Sequence, residues 1–275
     1  MAHVRDLDPG SSALAYYGSE LRRLREAAGL TQKQVGDIIY CTGSLVGQIE
    51  TAKKPPTRTF TERADAALGA DGALLRIWPL VSRSALPGWF RPYADLEAKA
   101  TAIYTFQVQL VHGLLQTEDY ARAVLEADRP GNLDELVAGR MERQRILHNE
   151  NAPFLWMIIG EGVLHQAIGG GPIMRNQLAR LLGYRKHPRI HVQVLPFIAG
   201  AHAGLPGSFN VLHFEKLPNI AYTEDYGPGN VSFNSLDVSL RSHRYDLLQA
   251  AALSLEDSAE LIAEVMEDRY GKDQA

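Results

Sequence analysis

Leu30-Thr31-Gln32-Lys33-Gln34-Val35-Gly36-Asp37-Ile38-Ile39-Tyr40-Cys41-Thr42-Gly43-Ser44-Leu45-Val46-Gly47-Gln48-Ile49-Glu50 describes two short helices joined by a tight turn. The hydroxyl of Thr31 is placed to cap the first of them, and Gln34 three residues on completes a reciprocal capping box. Val35 and Ile39 fall one helical turn apart and face inward. Thr42 caps the second helix, in which Val46 and Ile49 point to the same core while Gly43, Ser44, Gly47 and Gln48 take the opposite, solvent side. A short helix braced from behind, with a polar outer face, has the form that enters a DNA major groove.

Upstream, Leu14, Tyr17, Leu21, Leu24 and Ala28 share one face of a further helix, with Arg22, Arg23 and Arg25 outside the stripe and Gly29 as its stop. Over residues 14–80 the pattern resembles the Xre-type helix-turn-helix regulators, the broad bacterial family that includes the lambda-type phage repressors. The resemblance implies a mainly α, five-helix, lambda-repressor-like DNA-binding domain over residues 12–82. It implies that Gln32 holds a phosphate and that Thr42, Gly43, Ser44, Gly47 and Gln48 meet bases or backbone. It also implies that Arg25 and Glu50 form an internal ion pair, and that Lys53, Lys54 and Arg58 clamp the DNA backbone without reading sequence.

Several residues depart from that pattern. Tyr40 stands where Gly usually ends the second helix with positive φ, so the turn either carries strain of about 1 kcal/mol or more or closes differently. Cys41 replaces a usual Val and reads as a small apolar core residue. Gly43 and Gly47 weaken the reading helix by about 1 kcal/mol each against Ala and remove two side chains from its face. Direct readout therefore falls to Gln48, whose amide suits the N6 and N7 edge of adenine, and to Ser44; the plain alternative for each is a solvated polar residue.

With 275 residues, 45% of them hydrophobic, the chain can build two compact cores. A single cysteine excludes an intramolecular disulfide and suits a reducing compartment. No apolar run approaches the ~20 residues that cross a bilayer, and Met1 to Gly10 carries charges and Pro rather than a signal-type stretch, so the expected location is cytoplasmic, on the nucleoid when DNA-bound. The net charge of -4 would repel nucleic acid on average, but residues 1–84 hold 11 Lys and Arg against 9 Asp and Glu, a local balance of +2.

The junction is expected between residues 80 and 93, where two Pro, a Gly and no helical stripe occur. Its Trp89, Phe90 and Tyr93 read as packing on a second domain, with a partner groove as the alternative. That domain, residues 90–271, reads as α+β, a small sheet covered by helices. Helices are expected at about 117–127, 134–148, 172–183, 236–251 and 254–270, and strands at 153–159, 191–197, 208–215, 220–224 and 230–233. The phrases Val111-His112-Gly113-Leu114-Leu115-Gln116-Thr117-Glu118-Asp119-Tyr120-Ala121-Arg122 and Val192-Gln193-Val194-Leu195-Pro196-Phe197, with Gly200 to Gly204 after, resemble an effector domain of unknown function found behind such modules in antibiotic-producing soil bacteria. That resemblance implies a small protein partner encoded nearby, in pairs of antitoxin-like kind.

Other constellations have plainer readings. Gly169-Gly170-Gly171 before Pro172 could cradle a phosphate, but it lacks the Lys-Ser/Thr of a P-loop. His187 and His191 need not share a face, since Pro188 lies between them. Glu224 and Asp225 beside Tyr222 and Tyr226, and His202 in a Gly-rich turn, could line an effector pocket or a partner surface, with loop polarity as the plain alternative. No nucleophile, metal or cofactor signature is present, so no enzyme, cofactor or metal is expected. The sequence points to a transcriptional regulator that binds a palindromic duplex operator as a homodimer and receives a ligand or protein signal in its second domain. The alternative is an antitoxin-like interaction component that binds a small partner and regulates its own operon.

Overall fold

The computed structural model of the protein describes residues 7–84, 86–224 and 228–271. They form two compact units: one takes the chain up to Gly88 together with Gly131–Glu142, the other Trp89–Pro130 and the chain from Arg143 onward. Among the described residues no helix is long and apolar enough to cross a membrane.

The first unit is helical: α1 (Ala13–Ala27), α2 (Gln32–Ile39), α3 (Gly43–Glu50), α4 (Arg58–Ala67) and α5 (Ala73–Ser84). Each of the first four starts on a side-chain cap, from Ser12, Thr31, Thr42 and Thr57, because Ser and Thr oxygens satisfy N–H groups that the first turn leaves open. The Thr31–Gln34 capping box is formed in both directions, and Gly29 (φ 67) ends α1 as expected. Leu14, Tyr17 and Leu21 meet Val35, Ile39, Val46 and Ile49 in one core, closed by Phe60, Ala64, Leu74, Trp78 and Val81. Ala28, expected on the inner stripe, is instead the exposed cap of α1.

Tyr40 takes the strained alternative. It lies in the left-handed region (φ 61, ψ 48), which costs a non-glycine residue about 1–2 kcal/mol. Its ring stays 86% exposed under the Arg63 guanidinium, 5.9 Å from the ring centre, while Arg63 Nη1 donates to the Ile39 carbonyl at 3.2 Å. Cys41 is only half-buried at the core margin. The expected junction is partly helical: α5 continues to Ser84 through Pro79, held by the buried Leu74, Trp78 and Val81.

The second unit begins with α6 (Arg91–Glu97) and β1 (Ala102–Gln107), followed by α7 (Glu118–Glu126) and α8 (Leu133–Arg143), of which residues up to Glu142 group with the first unit. Then come β2 (Phe154–Gly160), α9 (Gly162–His165), α10 (Gly171–Leu182), β3 (Ile190–Leu195), β4 (Phe209–His213), β5 (Ile220–Thr223), β6 (Asn230–Ser232), α11 (Ser235–Ala251) and α12 (Leu255–Tyr270). The sheet is six-stranded and mixed, in the order β3-β2-β1-β4-β5-β6, with β1, β2 and β3 parallel and the other pairings antiparallel.

Five of these strands match the sequence expectation; β1, in the middle of the sheet, does not appear in it. Ile103, Thr105 and Phe106 are all fully buried, so the strand lacks the clean polar alternation of a half-exposed one. One sheet face carries Phe106, Ile158, Phe209 and Val211 under Val238, Tyr245 and Leu248 of α11. α12 packs against α10 and β3, where the Ser258 hydroxyl accepts from the Val194 N–H at 3.0 Å. Leu255, expected in that core, sits 37% exposed in the first turn of α12. Phe90 and Tyr93 are buried as expected, whereas Trp89 is half-exposed with its ring edge on Phe90.

Candidate nucleic-acid interface

α3 is built from its cap. Thr42 is extended (φ -83, ψ 145) and its Oγ1 accepts from the Leu45 N–H at 3.1 Å. Val46 and Ile49 are buried behind it, and Thr42, Ser44 and Gln48 are exposed on the outer side. Thr42→Ala should cost about 1 kcal/mol in urea unfolding, with Thr42→Ser near wild type; an unchanged midpoint for the alanine variant would show that the cap contributes nothing.

Gly43 and Gly47 are only partly exposed and lie against the start of α2. A Cβ on Gly43 would lie 2.9 Å from the Lys33 Cα and 3.0 Å from its N, and one on Gly47 would lie 2.8 Å from Gln32 Oε1. Both glycines are turned toward the start of α2: Gly43 lets the two backbones approach, and Gly47 leaves room for the Gln32 amide. Gly36 serves the same crossing from the other side, since its Cβ would meet the Cys41 carbonyl at 2.7 Å. At Gly43 packing against the α2 backbone is a reason for the missing side chain, while Gly47 also lines the groove beside Ser44 and Gln48.

The expected Arg25–Glu50 pair is present: Arg25 Nε and Nη2 donate to the two Glu50 oxygens at 2.5 and 3.1 Å, and Nη1 donates to the Leu30 carbonyl at 2.9 Å. Glu50 is buried, and it also accepts from Gln32 Nε2 at 2.7 Å. The carboxylate therefore fixes one amide N–H of Gln32 and leaves the second for an acceptor outside the fold. Hydrogen bonding to Glu50 raises the Arg25 pKa, with burial opposing it, so the guanidinium stays charged.

The three expected backbone clamps part company. Lys53 is exposed, and its backbone N–H closes on the Gln48 carbonyl at 2.8 Å, which holds the loop against the end of α3. Lys54 is half-buried. Arg58 is engaged within the unit: its Nε donates to Glu62 at 2.6 Å and its guanidinium lies 5.6 Å from the Trp78 ring centre. Glu142 is also nearby, its pKa pushed up to about 7 by burial, with Arg58 opposing and Glu62 reinforcing the shift. The site that emerges is a groove of about 430 Å³ lined by Gln32, Ser44, Gly47, Gln48 and Lys53, together with Arg22, Arg25, Glu50 and Thr51. Arg22 and Thr51 were not expected there. Arg22 lies one turn before Arg25 on the polar side of α1, which was the available signal.

Three buried glutamines of the second unit serve its own backbone. Gln116 Nε2 donates to the Val111 carbonyl, Gln144 Nε2 to the Gly113 and Gln116 carbonyls, and Gln177 Nε2 to the Leu115 carbonyl, so three buried amides hold the Val111–Thr117 loop. Gly169 (φ 70) is packed against Ile173 and Ala123, where a Cβ would fall within 3 Å of each. His187 lies against Tyr184 and His191 between Phe154 and Trp156, in separate settings. His202 Nδ1 accepts from the Gly204 N–H, and Glu224 from the Tyr222 hydroxyl at 2.6 Å. Asp225 and Tyr226 lie outside the described residues, as do Met1 to Asp6. Among the described residues no group of three or more His, Cys, Asp or Glu is arranged to hold a metal.

Comparison with family profiles matches residues 17–78 to a helix-turn-helix domain and residues 90–264, more than half of the chain, to a domain of unknown function, DUF5753. The chain belongs to the DUF5753 family. No curated protein and no solved structure matches it significantly. In this DUF5753 protein the helix-turn-helix domain suggests a DNA-binding regulator, and the function of the α+β domain behind it is unknown.

Proposed function

We propose that this protein is a sequence-specific transcriptional regulator of Xre type, a repressor-like homodimer with no catalytic role, whose second domain receives a ligand or protein signal. The observation that carries the reading is the groove at α3, where Ser44 and Gln48 are exposed beside the Glu50-held amide of Gln32 and the Lys53 ammonium. Gln48 and Ser44 read base edges, while Gln32 and Lys53 hold phosphates and set register. Arg58, committed to Glu62 and Trp78, supports α4 rather than the duplex. One such helix reads few bases, so two copies on half-sites about 34 Å apart supply the affinity.

Selection of bound sequences from random duplexes, followed by titration at several salt concentrations, tests this. Gln48→Ala should relax preference at one base-pair position, at a cost of roughly 1–3 kcal/mol on the preferred site. Lys53→Ala should weaken all sequences alike and lower the salt slope by about one. Unchanged affinity and slope in both variants would refute the docking.

A further inference from the structure

α11 has two apolar faces. Val238, Tyr245 and Leu248 are buried against the sheet, and on the opposite side Leu236, Leu240 and Leu247 are 79%, 48% and 49% exposed, with Phe233 just before the helix at 60%. The spacings of four and seven residues place the three leucines in one stripe along the helix, and Phe233 lies just ahead of its extended cap Asn234. They amount to an apolar patch on the order of 400–500 Å², the size of the largest patch a monomer leaves bare, which is often functional.

We propose that this outward face of α11 is the surface on which a second copy of the chain packs. The charges around it favour that occupant. In a two-fold interface each group at the centre meets its own copy, so a central charge would face a like charge. The stripe itself, with Ser239 and His243 between its leucines, holds no Lys, Arg, Asp or Glu. Its two rims carry opposite charges, Arg244 beside the Arg241–Asp237 pair on one side and Asp246 on the other. A two-fold axis running along the paired helices stacks each leucine on its own copy and brings the Arg244 rim of one copy onto the Asp246 rim of the other. Even with these rim residues the face stays below the ~800 Å² per partner of a standard stable interface, so the dimer is expected at the small, reversible end of that range.

This deepens the regulator reading by naming the surface that holds the dimer. It is tested without DNA, so a failure here leaves the groove at α3 untouched, and a failure there leaves this face standing. Sedimentation equilibrium of the full chain should give a dimer at micromolar concentration. Leu240→Glu combined with Leu247→Glu should raise the dimer dissociation constant on the order of 100-fold or more, with circular dichroism and melting unchanged. Asp246→Arg, a surface change that leaves the helix intact, should weaken the dimer about tenfold by opposing like rims, and adding Arg244→Asp should restore it. A wild-type chain that stays monomeric at about 100 μM, or a Leu240→Glu, Leu247→Glu variant as dimeric as wild type, would overturn the assignment.

Discussion

Glu97→Ala is expected to destabilise the protein by about 3–5 kcal/mol, the largest single-residue effect foreseen. Glu97 is fully buried, and its two oxygens accept from Arg143 Nε and Nη2 at 2.5 and 3.2 Å, with the guanidinium 4.7 Å from the centre of the Phe90 ring. Burial works against the charge on Arg143, and the Glu97 carboxylate more than offsets it, so the Arg143 pKa is held above its ordinary value. Removing the carboxylate leaves a desolvated cation without its counter-ion. Replacing both partners with apolar residues, as in Glu97→Leu with Arg143→Met, should recover most of the loss, because the pair itself offsets little more than its own desolvation. Guanidinium unfolding of the single and double variants measures both. A single variant within about 1 kcal/mol of wild type would mean that water reaches Arg143.

The second large effect concerns a glycine in the middle of α1. A helix-interior Gly→Ala change ordinarily stabilises by about 1 kcal/mol. Gly18→Ala should do the reverse, costing roughly 2–3 kcal/mol, since its Cβ would lie 2.6 Å from the Ile49 carbonyl oxygen and 2.9 Å from that of Glu50. Both obstacles are backbone, so α3 must shift away from α1 as a whole. That shift would pull Glu50 from Arg25 and Gln32, and DNA affinity should fall with the midpoint of thermal unfolding. A variant that melts above wild type would show that the close crossing of α1 and α3 is wrong.

Much of the DNA-binding unit was legible because its signals are local. Thr31 with Gln34, Thr42 with Leu45, and the paired Val35 and Ile39 or Val46 and Ile49 all act within one turn of helix. The Arg25–Glu50 pair came from resemblance, and the geometry bears it out. What spacing did not show was the packing around Gly43 and Gly47. Helical spacing placed them among the outer residues, and it could not show the Lys33 backbone against Gly43 or the Gln32 amide against Gly47, both from another helix. Likewise spacing could not show that Arg58, expected as a backbone clamp, lies beside Trp78 and Glu62.

In the α+β unit the same division holds. Periodicity found the helices from α7 onward except the four-residue α9, and it found the strands from β2 to β6. It missed β1, whose Thr105 is polar yet buried because its hydroxyl donates to Asn210 Oδ1 at 2.6 Å, a residue 105 positions away. Nor could spacing show that Gln116, Gln144 and Gln177 converge on one loop, or that α11 is apolar on its outer side for a reason other than its own core.

The sequence by itself therefore determined caps, turns, helical and strand periods, and the two-part layout of the chain, since those depend on backbone sterics and hydrogen bonds between near neighbours. Tertiary structure decided which glycines are crossings, which cations are committed, where the central strand lies and which face of α11 is left bare. Those depend on groups brought together from distant parts of the chain, whose mutual distance no local pattern encodes.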